Sequence, residues 1–95
     1  MPIFAGNTSS TATKTTYNIP SGILTFSVVN KAGASNAINI YLSGTGITGN
    51  ISIVNLTLAD GDTLYSGNGI NVLPNTTLTI TATGSTDYYF NINNL

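Results

Sequence analysis

The stretch AINIYL at residues 37–42 decides the fold class, because its apolar and polar side chains alternate one by one. In an extended chain its aliphatic side chains fall on one side, whereas Asn39 and Tyr41 fall on the other. This period of two is typical of a β-strand with one buried face. Three further segments repeat the pattern, at residues 23–29, 76–83 and 87–93. The repeats predict that the strand at residues 37–42 belongs to a sheet.

Less regular apolar runs complete the set, at residues 11–19, 51–58, 63–66 and 70–73. In segment 51–58 the apolar side changes near Val54, which predicts a β-bulge or a strand that switches sheets. Turn residues separate the runs, and strong helix formers are scarce, so we expect helices to be absent or very short. About eight short strands at roughly ten-residue spacing predict an all-β fold, an antiparallel β-sandwich of the jelly-roll type.

The first ten residues do not follow this alternation. We therefore predict an N-terminal arm at residues 1–10 and a β-sandwich domain at residues 11–95. A terminal segment of this kind frays unless another surface holds it. Ile3 and Phe4 are apolar residues of the arm, and we expect them to contribute to an interface.

The residue types that are missing exclude most catalytic chemistry. The chain has no His, Cys, Glu, Gln, Arg or Trp. Its charged side chains are those of Lys14, Lys31, Asp60, Asp62 and Asp87. Serine and threonine hydroxyls therefore have no histidine to activate them, and neither histidine nor cysteine is present to bind zinc. We expect a protein that is not an enzyme, with no catalytic residues and no cofactor.

Charge and hydropathy limit the partners as well. Two lysines far apart in a chain of net charge −1 cannot neutralise several phosphates, so we expect no nucleic acid and no anionic membrane as partner. No apolar run approaches the roughly 20 residues of a membrane span. Thr, Asn and Ser supply 38 of the 95 residues, so the polar surface is largely uncharged. Such a surface offers little repulsion between molecules, which favours contact with other proteins and with further copies of the chain.

Two sequence motifs have simple structural explanations. Asp60-Gly61-Asp62 could seed a calcium site, because carboxylate oxygens suit that ion, but it lacks the longer ligand spacing of an EF-hand loop. We favour a tight turn and keep Asp60 and Asp62 only as weak metal candidates. Four Asn-X-Ser/Thr triplets also occur, and in a chain this rich in these residues they are expected from composition alone.

Outward-facing residues supply the candidate interaction surfaces. The threonines of segment 76–83 resemble one row of an ice-binding array, but the motif occurs convincingly once, so a solvated or subunit-facing strand surface is favoured. Tyr41 and Tyr89 could anchor a protein interface, stack on a sugar or simply cover a cross-strand neighbour. The predicted interface residues are Ile3, Phe4, Tyr41, Thr77, Thr79, Thr81 and Tyr89.

Four segments together resemble small virion proteins of tailed bacteriophages. They are YNIPSG at residues 17–22, NIYL at 39–42, LADGDTL at 58–64 and the closing strand at 88–92. The resemblance covers roughly residues 11–93. It implies a β-sandwich module that decorates a capsid or serves as a fibre or adaptor, often as a trimer. The chain departs from the family in its extreme lack of charge.

From the resemblance we expect a non-enzymatic structural protein located in the virion and made in the host cytoplasm. Its partners would be capsid or tail proteins and further copies of itself, with a trimer favoured. One alternative is a module that binds carbohydrate or a host surface through Tyr41, Tyr89 and neighbouring asparagines. Another is an adhesin domain stabilised by calcium.

Overall fold

The computed structural model describes residues 3–8, 13–44 and 48–93. Within these ranges the chain forms nine β-strands and no helix. The strands are β1 (Ile3–Asn7), β2 (Thr13–Ile19), β3 (Gly22–Asn30), β4 (Asn36–Gly44), β5 (Ile51–Leu58), β6 (Thr63–Tyr65), β7 (Ile70–Val72), β8 (Thr76–Ala82) and β9 (Thr86–Asn93).

The strands form two antiparallel sheets that pack face to face. Sheet 1 has the order β1-β9-β3-β6, with β7 also paired to β3, and sheet 2 has the order β2-β8-β4-β5. Because β6 and β7 pair with opposite halves of the same edge of β3, they act as one interrupted edge strand. The nine strands therefore occupy the eight positions of a jelly roll. The predicted fold class is confirmed.

The hydrophobic core fills the space between the sheets. Residues that the alternation placed inward are buried throughout β3, β4, β8 and β9. The side chains with no exposed surface are led by Phe90, Leu24, Ile38, Ile40 and Leu78. Burial of this apolar layer is the main favourable term for folding, and the apolar residues of the alternating pattern are the ones that form it.

The predicted irregularity near Val54 is a β-bulge. Ile40 of β4 lies opposite Val54, but the next residue, Tyr41, lies opposite Ser52. Ile53 is therefore the extra residue of β5. The extra residue shifts the alternation of side chains by one position, so that Val54 and Leu58 face the core and are buried.

The segment assigned to an N-terminal arm contains a strand of the sandwich. Ile3–Asn7 pairs along its whole length with β9 and forms one edge of sheet 1. Phe4 packs against the core, with its ring centroid 5.0 Å from that of Tyr17. Thr8, which follows the strand, is fully buried and donates a hydrogen bond to the Gly84 carbonyl. The sandwich thus begins before residue 11, and the sequence hid this because only one side chain of the strand is drawn into the core.

Candidate functional site

Charge is confined to one end of the sandwich. Lys31 follows β3, Asp60 and Asp62 lie in the turn after β5, and Asp87 lies at the beginning of β9. These four side chains are exposed. Lys14 lies in β2 and pairs through its backbone with Thr81, near the same end. We call this region the charged end, and every charged side chain that the structure describes lies in it.

A buried polar network closes the charged end. Asn30 and Asn36 are almost completely buried, and the Asn36 amide donates to Asn30 Oδ1 at 3.3 Å. The Asn30 amide also donates to backbone carbonyls of Ala34, Leu58 and Ala59, which ties the loop after β3 to the end of β5. Because each buried polar group finds partners, the network stabilises the loops.

Asn36 links this network to the turn between β8 and β9. Its Nδ2 donates to Thr86 Oγ1 at 2.7 Å, and its Oδ1 accepts bonds from the Gly84 backbone N–H and the Thr83 hydroxyl, each at 3.1 Å. Thr8 joins the same turn from β1, since its Oγ1 accepts a bond from the Thr86 N–H. The network positions loops and offers no group suited to catalysis.

The two candidate metal ligands lie in a tight turn. The Asp62 backbone N–H donates to the Ala59 carbonyl at 3.1 Å, and Gly61 has a φ of 78° between the two aspartates. Gly61 therefore supplies the positive φ that such a turn requires. In the described ranges no three His, Cys, Asp or Glu side chains come together as a metal site.

The opposite end of the sandwich combines exposed aliphatic side chains with exposed asparagines such as Asn18 and Asn75, and none of its described side chains is charged. Ile3, Ile51 and Leu73 are exposed there, and Leu73 keeps 63% of its surface accessible. Pro20 and Pro74 line an open depression of about 620 Å³ between them. We call this region, with Ile3, Pro20, Ile51, Leu73 and Pro74, the uncharged end.

Leu73 is held in place by its own loop. The Thr76 hydroxyl donates to the Leu73 carbonyl at 2.7 Å. Asn75 adopts a φ of 62°, a left-handed conformation that asparagine tolerates better than most residues. The exposure of Leu73 is therefore built into a defined turn.

The predicted threonine surface on sheet 2 is only partly accessible. Thr77 and Thr81 are half-buried on its outer face. Thr79, by contrast, has only 2% of its surface exposed, so its assignment as an outward, accessible residue was wrong in this respect. Thr79 lies between β2 and β4 in the middle of the sheet, directly opposite the larger Tyr41. Tyr41 is itself half-buried.

Tyr89 lies on the outer face of sheet 1 and forms one wall of a cleft. Tyr65 of β6 forms the other wall, and both tyrosines are cross-strand partners of Ser27 in β3. Tyr65 is 71% exposed and Tyr89 is 46% exposed. The cleft between them has a volume of about 330 Å³, with Thr25 and Asn91 among its lining residues. We call it the tyrosine cleft.

The break between β6 and β7 opens the tyrosine cleft. After Tyr65 the edge strand ends, and the Ser66 hydroxyl accepts a bond from the Phe26 N–H in place of a strand partner. Gly67 has a φ of 69°, which carries the chain away from the sheet. A side chain at Gly69 would collide with Ile23, so the glycine keeps the loop close to the strand below.

Tyr41 and Tyr89 do not form one site, because they belong to the outer faces of different sheets. Sequence reasoning missed Tyr65, whose strand has only three residues and therefore no readable alternation. It also missed Leu73 and Ile51, whose exposure depends on where the strands end. A run of Gly and Asn at residues 67–69 was the available signal for an open edge beside Tyr65.

A hydrogen-bonded pair of tyrosines lies on the inner side of the sandwich. The Tyr17 and Tyr88 hydroxyls are 2.6 Å apart. Burial, followed by this hydrogen bond and by the charge of Tyr88, raises the pKa of Tyr17 to about 12. The hydrogen bond joins the two sheets across the interior, as expected for a structural contact.

No family model matches this chain, and a search of the curated proteins finds no significant match. Within the part of the chain that the structure describes, no helix could cross a membrane.

Proposed function

We propose that this protein is a non-enzymatic structural component of a bacteriophage virion that attaches to the particle by its uncharged end. The observation that supports this proposal is the one-sided distribution of charge. All charged residues are at or near one end, whereas Ile3, Ile51 and Leu73 are exposed at the other. The sequence resemblance to phage virion proteins and the jelly-roll fold agree with the proposal.

The uncharged end has the chemistry of a protein interface. Full burial of a leucine side chain contributes about 1.5–3 kcal/mol, and no charged side chain would have to be desolvated when this end is covered. Pro20 and Pro74 provide a rigid rim, because proline has little conformational freedom to lose on binding. Contacts between aliphatic side chains and uncharged polar rims are typical of interface cores.

Copies of the chain are proposed to associate as well, with a trimer favoured by the resemblance. Capsid or tail proteins are the proposed further partners. A closed oligomer would cover apolar surface that a free monomer exposes to water.

The test combines the mass of the isolated protein with its presence on particles. We expect sedimentation to give an oligomeric mass and mass spectrometry to detect the protein in purified virions. Leu73→Asn should weaken the attachment to particles, since it places an amide where an apolar contact is needed. Leu56→Asn is the matched control, because Leu56 is an exposed leucine on β5 away from the uncharged end. Absence of the protein from purified particles would refute the proposal, as would equal attachment of wild type and Leu73→Asn.

A further inference from the structure

We propose that the tyrosine cleft on sheet 1 is a binding site for a neutral saccharide. This function goes beyond attachment to a particle and does not depend on it, because the cleft and the uncharged end share no residue. The inference rests on three features of the cleft: the spacing of two aromatic walls, a floor of uncharged polar groups and a buried acceptor without a partner.

The walls are aromatic and the floor between them is low. Tyr65, Ser27 and Tyr89 form one row across β6, β3 and β9. Two strand spacings separate the tyrosine backbones by roughly 10 Å. The small side chain of Ser27 leaves the space between the rings open. Two exposed rings on either side of a slot offer apolar faces to the C–H groups of a flat, narrow ligand.

The floor carries hydrogen-bonding groups that suit hydroxyls. Thr25 and Ser27 each supply a hydroxyl, which can both donate and accept, and Ser66 lies at the side. Asn91 lies beside Thr25 in the register of the sheet. Its Oδ1 is buried and, among the described residues, has no hydrogen-bond partner. Such an unpaired acceptor is costly, and a rotation of the Asn91 amide toward the cleft would offer it to a donor of a ligand on the floor.

The absence of charge from the lining decides the class of ligand. None of the residues that line the cleft is charged, so the site has no charged partner to offset the desolvation of a phosphate, a carboxylate or an ammonium group. A nucleic acid is disfavoured for the same reason. A sugar unit combines apolar C–H faces with several neutral hydroxyl donors, and both parts find partners here.

The size of the cleft favours a small ligand over a second protein. Its volume of about 330 Å³ lies at the lower end of the range for small-molecule sites. A stable protein interface buries roughly 800 Å² on each partner, far more than the floor and walls of this cleft provide. The site therefore fits one or two sugar units of an oligosaccharide.

The experiment uses the full chain labelled with ¹⁵N. A glycan array with neutral and acidic oligosaccharides comes first. Amide chemical shifts are then followed during titrations with maltotriose, cellotriose, chitotriose and any array hit. Each sugar is added to about 10 mM, a concentration that detects millimolar dissociation constants. We expect saturable shifts around Ser27, Tyr65 and Tyr89 with at least one neutral sugar. Tyr65→Ala and Tyr89→Ala should each weaken binding by about tenfold or more.

Two further variants control the result. Tyr41→Ala removes a tyrosine from the outer face of the other sheet and should leave binding unchanged. Ser27→Leu fills the slot without removing either ring and should abolish binding while the spectrum remains that of the folded protein.

Three outcomes would overturn the inference. The first is the absence of saturable binding on the array and in every titration. The second is binding that survives both tyrosine variants or is lost with Tyr41→Ala. The third is a fall in oligomeric mass with Tyr65→Ala and no sugar binding, which would identify the cleft as a contact between copies of the chain. Failure of virion attachment would leave this test unaffected, since Leu73→Asn should still bind the sugar.

Discussion

Replacement of Asn36 by alanine tests whether the buried network at the charged end stabilises the fold. The substitution removes the acceptor of the Gly84 N–H at 3.1 Å and the donor to Thr86 Oγ1 at 2.7 Å. Thr86 keeps its bond to the Gly84 carbonyl, and Asn30 Oδ1 keeps the bond from the Ala32 N–H. The largest loss therefore falls on the Gly84 N–H, which is left without an acceptor in the turn before β9.

The size of the effect follows from these contacts. An unsatisfied donor costs about 1–3 kcal/mol, and the lost amide bonds and the small cavity add about 1 kcal/mol. We expect the free energy of unfolding to fall by about 3 kcal/mol. That is a large share of the roughly 5–14 kcal/mol expected for a domain of this length, and it corresponds to a decrease in Tm of roughly 12–24 °C.

Urea unfolding followed by tyrosine fluorescence and circular dichroism measures the change. The matched control is Asn39→Ala, three residues along the same strand, where the side chain accepts only an exposed bond from the Ser52 hydroxyl. We expect that variant to stay within about 0.5 kcal/mol of wild type. The reasoning is refuted if Asn36→Ala and Asn39→Ala unfold at the same urea concentration with unchanged m-values.

Three further perturbations probe other parts of the structure. Gly22→Ala should prevent folding or lower the free energy of unfolding by more than about 3 kcal/mol, because Gly22 has a φ of 151° and an added Cβ would collide with the Asn93 carbonyl. In the control Gly33→Ala the added Cβ meets no atom within 4 Å, and the loss should be about 1 kcal/mol. Equal decreases of Tm in the two variants would contradict this. The pKa of Tyr17 is raised from 10.0 to about 12, so the stabilising effect of its protonated hydroxyl is complete below pH 10 and is lost as the pH rises through 12. Between pH 10 and pH 12 the Tm of Tyr17→Phe should therefore fall less than the Tm of wild type. Parallel curves of Tm against pH for the two proteins would count against this assignment. Phe4→Ala should speed amide hydrogen exchange across β1 while β3 stays protected, because Phe4 packs against the core. The side chain of Ile3 is exposed, so the control Ile3→Ala should have little effect. Equal exchange rates in the two variants would show that Phe4 does not anchor the strand.

The core could be predicted from sequence because burial and strand alternation have the same period. Residues 37–42 fixed the inward side of β4, and the change of apolar side near Val54 gave the bulge at Ile53. The bounds of β5, Ile51–Leu58, match the predicted segment. In each case residues two positions apart along the strand face the same side of the sheet, so the local sequence pattern is sufficient to predict which side is buried.

The parts that could not be predicted depend on contacts between distant segments. The strand Ile3–Asn7 is held by backbone pairing with β9, which leaves no mark on its side chains. The burial of Thr79 comes from its central place beside Tyr41, and the wall formed by Tyr65 comes from a strand too short to show a period. Tyr41 and Tyr89 were predicted to act together, but they lie on different sheets, because the order of strands also depends on contacts between distant segments.

The layout of the jelly roll makes the two proposed surfaces compatible. Strands of up to nine residues span about 30 Å, so they run most of the 37 Å length of the molecule and collect the turns at its two ends. The charged end is sealed by the asparagine network and remains suited to water, while the apolar residues of the other end are suited to a protein surface. The tyrosine cleft lies on the flank, at the middle of β3 and β9. A molecule docked through Leu73 and its neighbours would therefore direct its charged end outward. It would leave the rings of Tyr65 and Tyr89 open to a ligand from solution, because their row lies one row farther from the docked end than Ile3.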